Sequence, residues 1–354
     1  MSTPPRFREL SAPHGLLAPG QHNAITDVPG VSVGHAFADS DPSMCTGVTV
    51  VVPHPGDLYE DRLFAGVSVF NGTGEMTGRS VIEEWGLLAG PITLSSTRHV
   101  GVAYDAVSAW MERRHSQVGV EDIVIPVVAE CDDSYLAGPG RLLKPDDVWT
   151  AIDGATGGAV SEGCVGAGAG MQFFGYKGGI GTSSRVVPTA VGAYTVGVLL
   201  NTNYGVPEQL LISGRPAAAA VPDPPPRSIE GSCIAIVGTD APLLPNQLRR
   251  LARRVDAGLA RTGSVANDGS GEMSIAFSSA TKIGRRQFGE QSARYSPQGQ
   301  PWRDGSIMSN LFQAVVEATE EAALNAACAA TTTIGRTGNK LEKLPHDVIV
   351  GPLE

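Results

Sequence analysis

Ser232 is the residue whose setting carries the most chemistry. It follows Gly231 and opens the apolar, β-branched run Cys233-Ile-Ala-Ile-Val237, so it sits where a strand begins. The stretch before it, Gly214 to Pro226, is a Pro/Ala tract without packing periodicity, a segment suited to being cut. Cleavage of the Gly231–Ser232 bond would leave one residue holding both a hydroxyl nucleophile and a free α-amine. Such an amine titrates at about 7.7–8.0, so part of it is neutral near physiological pH and can take the hydroxyl proton without a histidine. The plainer reading of Gly-Ser is a turn entering a strand, and only the surroundings can decide between the two.

Other polar residues stand at the ends of apolar runs. Ile123 to Ala129 is of strand length and delivers Glu130 to its C-terminal end, where a carboxylate is expected exposed in a cleft or capped by an amine. Tyr194 to Leu200 reads as a strand followed by Asn201-Thr-Asn203, and Asn267-Asp-Gly-Ser-Gly-Glu272 reads as a loop feeding a strand over Met273 to Phe277.

The elements that must position these groups alternate in type. Gly47 to Val52 and Phe64 to Phe70 read as strands that pair with each other. A helix over about Gly78 to Leu87 carries Val81, Ile82 and Trp85 on one side; another over Val100 to Arg114 carries Tyr104, Val107, Trp110 and Met111 as a core stripe. Leu244, Leu248, Leu251, Val255 and Leu259 form the apolar face of a helix begun at Pro245, with Arg249, Arg250, Arg253 and Arg254 on its solvated side. Residues 281–306 read as a long loop, and a last helix runs from about Asn310 to Ala330. Strand pairs mixed with long helices predict sheets stacked between helical layers in a single α+β unit spanning 1–354.

Composition excludes several classes of function. A formal net charge of −10 over 354 residues argues against a nucleic-acid binder. No run reaches the ~18 apolar residues of a membrane span and the N-terminal stretch lacks a secretory core, so the expectation is a cytoplasmic protein without membrane contact. The five cysteines show no paired spacing and the seven histidines no metal-binding pattern, so neither a disulfide framework nor a metal is expected. Gly163-Cys-Val-Gly-Ala-Gly-Ala-Gly-Met171 and Lys177-Gly-Gly-Ile-Gly-Thr-Ser-Ser-Arg185 lack the order of nucleotide-binding loops and read as tight turns and close backbone approaches.

Together with Asn23-Ala-Ile-Thr-Asp-Val-Pro-Gly-Val-Ser-Val-Gly-His35, Asn71-Gly-Thr-Gly-Glu-Met-Thr-Gly78, Gly231-Ser232, Asn267 to Glu272 and Leu311 to Glu321, those two glycine segments make the chain resemble the L-aminopeptidase D-Ala-esterase/amidase family, which includes the β-peptidyl aminopeptidases. The similarity runs essentially end to end. It implies a four-layer αββα sandwich and a self-cleaving precursor giving an α chain of 1–231 and a β chain of 232–354, with 214–230 as a processed linker. It further implies hydrolysis of N-terminal residues from small peptides, amides or esters, no cofactor, and homotetramers of the αβ unit.

Carried over by position, Ser232 matches the nucleophile and Asn203 the amide that polarises the scissile carbonyl. Ser270 and Glu272 match the pair near the new amino terminus, and Glu130 a carboxylate holding the substrate amine. Relatives carry an aromatic two residues after that glutamate. Here the position is Asp132, with Tyr135 nearby but offset as the aromatic of the amine-side pocket. Two rival readings are an acyl transferase like the ornithine acetyltransferases, which use an N-terminal threonine, and a non-catalytic ligand-binding module.

Overall fold

The computed structural model describes residues 4–11, 14–190, 192–217, 230–285 and 305–350. Most of the expected linker, 218–229, and most of the expected long loop, 286–304, lie outside the described residues. The strands up to residue 284 are β1 (Ser32–Phe37), β2 (Gly47–Val52), β3 (Asp61–Gly72), β4 (Leu87–Leu88), β5 (Ile92–Ser96), β6 (Val127–Cys131), the short β7 (Gln172–Phe173) and β8 (Tyr176–Lys177), β9 (Ile180–Thr189), β10 (Gly192–Asn203), the short β11 (Leu211–Ile212) and β12 (Arg215–Pro216), β13 (Glu230–Thr239) and β14 (Gly269–Gly284). The helices used below are α1 (Phe7–Leu10), α2 (Arg79–Trp85), α3 (Val100–Glu112), α4 (Ser134–Ala137), α5 (Pro145–Asp153), α6 (Pro245–Ala252), α7 (Val255–Arg261) and α8 (Gly305–Ala329).

Two sheets stack face to face. One has the order β1-β2-β5-β6 and the other β4-β3-β14-β13-β10-β9. The two-residue alternation of β13 shows how the layers form. Ile234 and Ile236 point into the core between the sheets with Ile92, Leu94 and Ala129 of the opposite sheet. Cys233, Ala235 and Val237 point the other way, against Leu248 and Leu251 of α6, Val255 and Leu259 of α7, and Leu311, Val315, Ala318 and Ala322 of α8. The smaller sheet buries Val48, Val50 and Val128 under Ala103, Ala106 and Val107 of α3 and Val148, Ala151 and Ile152 of α5. This is the expected αββα sandwich. Each fully buried Ile or Val contributes about 1.5–3 kcal/mol, so a strand buried on both faces is strongly held in register.

Local signals set the helix starts. Pro145 and Pro245 each occupy the first turn, where a missing N–H costs nothing, and Asp147 accepts the Lys144 N–H at 2.8 Å to close the start of α5. Arg185, fully buried on β9, ties that strand to α8 by ion pairs to Glu317 at 3.0 Å and Glu321 at 2.6 Å.

Several expectations are corrected. β2 and β3 do not pair. β2 lies between β1 and β5, whereas β3 lies between β4 and β14 in the other sheet. β2 is buried, so its backbone N–H and C=O groups need ladder partners along both edges, and β1 and β5 supply them in place of the strand next in sequence. In α2 only Ile82 is buried; Val81 and Trp85 are exposed, as are Ile123 and Ile125 ahead of the short β6. Asn201 to Asn203 belong to β10, and Ser270 and Glu272 to β14, because pairing with β13 extends both strands beyond their apolar stretches.

Candidate active site

Ser232 lies near the start of β13, paired across the sheet with Asn203 of antiparallel β10 on one side and with Gly271 of parallel β14 on the other. Directly paired residues share a face, so Ser232 and Asn203 stand side by side on the face toward the second sheet. β13 includes both Gly231 and Ser232, so the link between them lies within the sheet. The site is glycine-dependent at two points. A Cβ on Gly231 would fall 2.5 Å from the Asn203 carbonyl oxygen, and one on Gly271 would fall 2.0 Å from that of Thr73. Those approaches bring the end of β10 and the 71–74 segment against the serine.

The serine opens into a cavity of about 610 Å³ whose wall includes Gly231, Asn203, Glu130, Asp132, Tyr135 and Thr97. Asn203 is held at both ends of its amide. Its Oδ1 accepts the Gln172 N–H at 3.1 Å and its Nδ2 donates to the Asp132 carbonyl at 3.0 Å. One Nδ2 hydrogen is left over, since a carboxamide carries two.

Glu130 is only 4 % exposed, so the expected open cleft position is corrected: it forms a buried wall of the cavity. Its oxygens accept the Glu75 N–H at 3.0 Å and the Thr97 hydroxyl. Burial pushes its pKa up, and those two donors oppose the rise. Tyr135, in the first turn of α4, is half exposed at the rim.

Ser270 and Glu272 lie behind the strand. Ser270 is opposite Gly231 and Glu272 opposite Cys233, so both side chains face the helical layer while Ser270 stands one strand spacing, about 4.8 Å, from the Gly231–Ser232 link. Both are 2 % exposed, and the Ser270 hydroxyl donates to Glu272 Oε1. Burial raises the Glu272 pKa. Asp256 of α7 is pushed to about 7, by burial first and then by the charge of Glu272. The glycine-rich segments do structural duty here: buried Lys177 donates to the carbonyls of Gly168, Met171 and Gly178 at 2.8–3.0 Å and pins the loop that carries Gly170 to the cavity wall.

The sequence-predicted residues Ser232, Gly231, Asn203, Glu130 and Tyr135 therefore meet at one cavity, with Ser270 and Glu272 adjoining from behind. Thr97, Gln172, Asp132 through its carbonyl, and Asp256 escaped the sequence reading. Thr97 alone had a signal, as the polar residue following an apolar strand, but the parallel pairing of β5 with β6 that brings it to Glu130 is not visible in sequence. Among the described residues no group of three His, Cys, Asp or Glu side chains could hold a metal ion, and no helix is long and apolar enough to cross a membrane.

A serine hydroxyl near the start of a central strand at a cavity, with an asparagine beside it and no histidine among the described wall residues, fits a serine hydrolase of the N-terminal-nucleophile kind within an αββα sandwich. The chain belongs to peptidase family S58, whose model matches residues 23–341. It is 40% identical to the β-peptidyl aminopeptidase of Sphingosinicella xenopeptidilytica over 97% of this chain and 89% of that one. Its fold superposes on the L-aminopeptidase D-Ala-esterase/amidase of Ochrobactrum anthropi, described as a variant of the Ntn hydrolase fold, with TM-score 0.84 at 35% identity over 98% of this chain and 97% of that one. A Pyrococcus horikoshii OT3 protein matches with TM-score 0.87 at 37% identity over 98% of both chains.

Proposed function

We propose that the chain is the precursor of an aminopeptidase that cuts itself between Gly231 and Ser232 and then releases N-terminal residues from small peptides, amides or esters. The observation that carries this reading is the register that sets Ser232 beside Asn203 at the cavity while Ser270 flanks the bond to be cut. In the precursor the Ser232 hydroxyl oxygen adds to the Gly231 carbonyl carbon, the C–N bond breaks, and the nitrogen takes up a proton. Water then hydrolyses the ester, leaving Gly231 as a carboxylate and Ser232 with a free amine.

In the mature enzyme that amine accepts the hydroxyl proton as the oxygen adds to the substrate carbonyl, and passes it to the leaving group. The spare Nδ2 hydrogen of Asn203 serves the oxyanion, a contribution of about 2.7–4 kcal/mol in the transition state. An ionised carboxylate next to the amine would favour ammonium and weaken the base. Burial of Glu272, which raises its pKa, and the interposed Ser270 hydroxyl moderate that effect. Glu130 pairs with the substrate ammonium and Tyr135 borders the same end, which confines cleavage to the first residue.

Acceptance of β-residues, as the name of the Sphingosinicella relative states for that protein, belongs to this proposal, as does a homotetramer of the 1–231/232–354 unit. The test is Ser232→Ala: the variant stays one chain and is inactive. Cleavage at 231, or turnover, by that variant would move the nucleophile elsewhere.

A further inference from the structure

We propose that Asp132 makes this site selective for substrates whose N-terminal residue carries a second cationic group, such as lysine or ornithine. The inference rests on the aminopeptidase reading of the same cavity. Among the described residues of the cavity wall the charged side chains are Glu130 and Asp132, both acidic; the polar remainder, including Thr73, Gln172 and Asn203, is neutral. An α-ammonium compensates one carboxylate. The second faces the cavity with no cationic side chain among the described wall residues to answer it, and it raises the Glu130 pKa further.

The position of Asp132 is well fixed. Its carboxylate accepts the Ser134 N–H at 3.1 Å and the Ser134 hydroxyl at 2.5 Å, and its carbonyl holds Asn203 at 3.0 Å. Those bonds use part of the acceptor capacity of a carboxylate, which has about four lone-pair sites, and the side chain stays exposed to the cavity. Residues 130 and 132 are two apart along an extended chain, about 6–7 Å. That spacing is within reach of the two amines of a diamino acid, one at Glu130 and one at Asp132. A concave wall of one sign also concentrates ligands of the opposite sign.

The test compares kcat/KM for the p-nitroanilides of L-lysine and L-norleucine, which differ by the side-chain ammonium, using the purified wild-type protein and Asp132→Asn at low and high salt. Asparagine keeps an oxygen for Ser134 and the carbonyl for Asn203. Wild type is expected to prefer lysine about fivefold, the upper range for a solvent-exposed ion pair, through KM, with the preference shrinking in 1 M salt. In Asp132→Asn the lysine-to-norleucine ratio falls toward one. Equal or better use of norleucine by wild type overturns the inference without recourse to the variant, and so does a lysine preference that survives Asp132→Asn. Turnover of norleucine without a lysine preference defeats this inference alone. Turnover of neither, with the β-homolysine and β-homonorleucine p-nitroanilides also left intact, defeats the aminopeptidase reading beneath it, and if only the β-substrates turn over the lysine-to-norleucine comparison is read on that pair.

Discussion

Gly231→Ala tests whether the close approach of β13 to β10 sets up the cut. The added Cβ would stand 2.5 Å from the Asn203 carbonyl oxygen and 3.1 Å from the Tyr204 Cα, both backbone atoms that no side-chain rotation can clear. Ordinary contact begins at 3.4 Å, so the strands must separate by about 0.9 Å at the pair that joins Ser232 to Asn203. Overpacking of this kind costs about 1–3 kcal/mol of stability, and misplacing reacting groups by ~1 Å costs on the order of 10²-fold in rate. The cleavage half-time of Gly231→Ala should therefore lengthen about a hundredfold, followed by intact-mass or gel time courses after synthesis. Once cut, residue 231 becomes a chain end and can move away, so turnover per cleaved molecule should suffer much less than cleavage itself. Cleavage of Gly231→Ala at the wild-type rate would refute this reasoning.

Glu130→Gln should lose discrimination between free and acetylated amino termini, read as the ratio of their kcat/KM values; an unchanged ratio removes Glu130 as the amine anchor. Asp133, 1 % exposed, has its pKa pushed up to about 6 by burial. The native state therefore holds its proton more tightly than the unfolded one, and stability falls as pH rises from about 4 to about 6, by at most about 3 kcal/mol. Asp133→Asn should flatten that slope in denaturant titrations, and parallel wild-type and variant curves would contradict the assignment. Arg185→Met leaves buried Glu317 without its ion-pair partner and Glu321 with Arg8 at 2.7 Å, and should cost about 3–5 kcal/mol in unfolding free energy; a loss under 1 kcal/mol would mean the network is idle.

Much of the layering was legible because period-two and period-3.6 patterns report which faces are buried. The stripe Leu311, Val315, Ala318 and Ala322 on α8 is an example, whereas the continuous apolar run Cys233 to Val237 marks β13 as buried on both faces without telling which residue meets which layer. Partner choice was not legible. β2 and β3 each announce themselves as strands, but which sheet a strand joins depends on contacts distant in sequence. The same limit governed the site. Gly231-Ser232 and the Asn203, Ser270 and Glu272 positions could be found through motif resemblance, yet that Ser270 and Glu272 approach from the helical side follows only from the register of β14. The Asp132 carbonyl acts through a tertiary neighbour and leaves no local mark, and the mark of Thr97, a polar residue after an apolar strand, does not tell that β5 lies beside β6.

The central claim is that a backbone cut creates the catalytic base. The most direct measurement is the intact mass and N-terminal sequence of the purified, active protein. A chain ending at Gly231 and a second beginning with Ser232 bearing a free amine are the predicted result. Full activity in protein whose Ser232 nitrogen is still part of the peptide chain would contradict it.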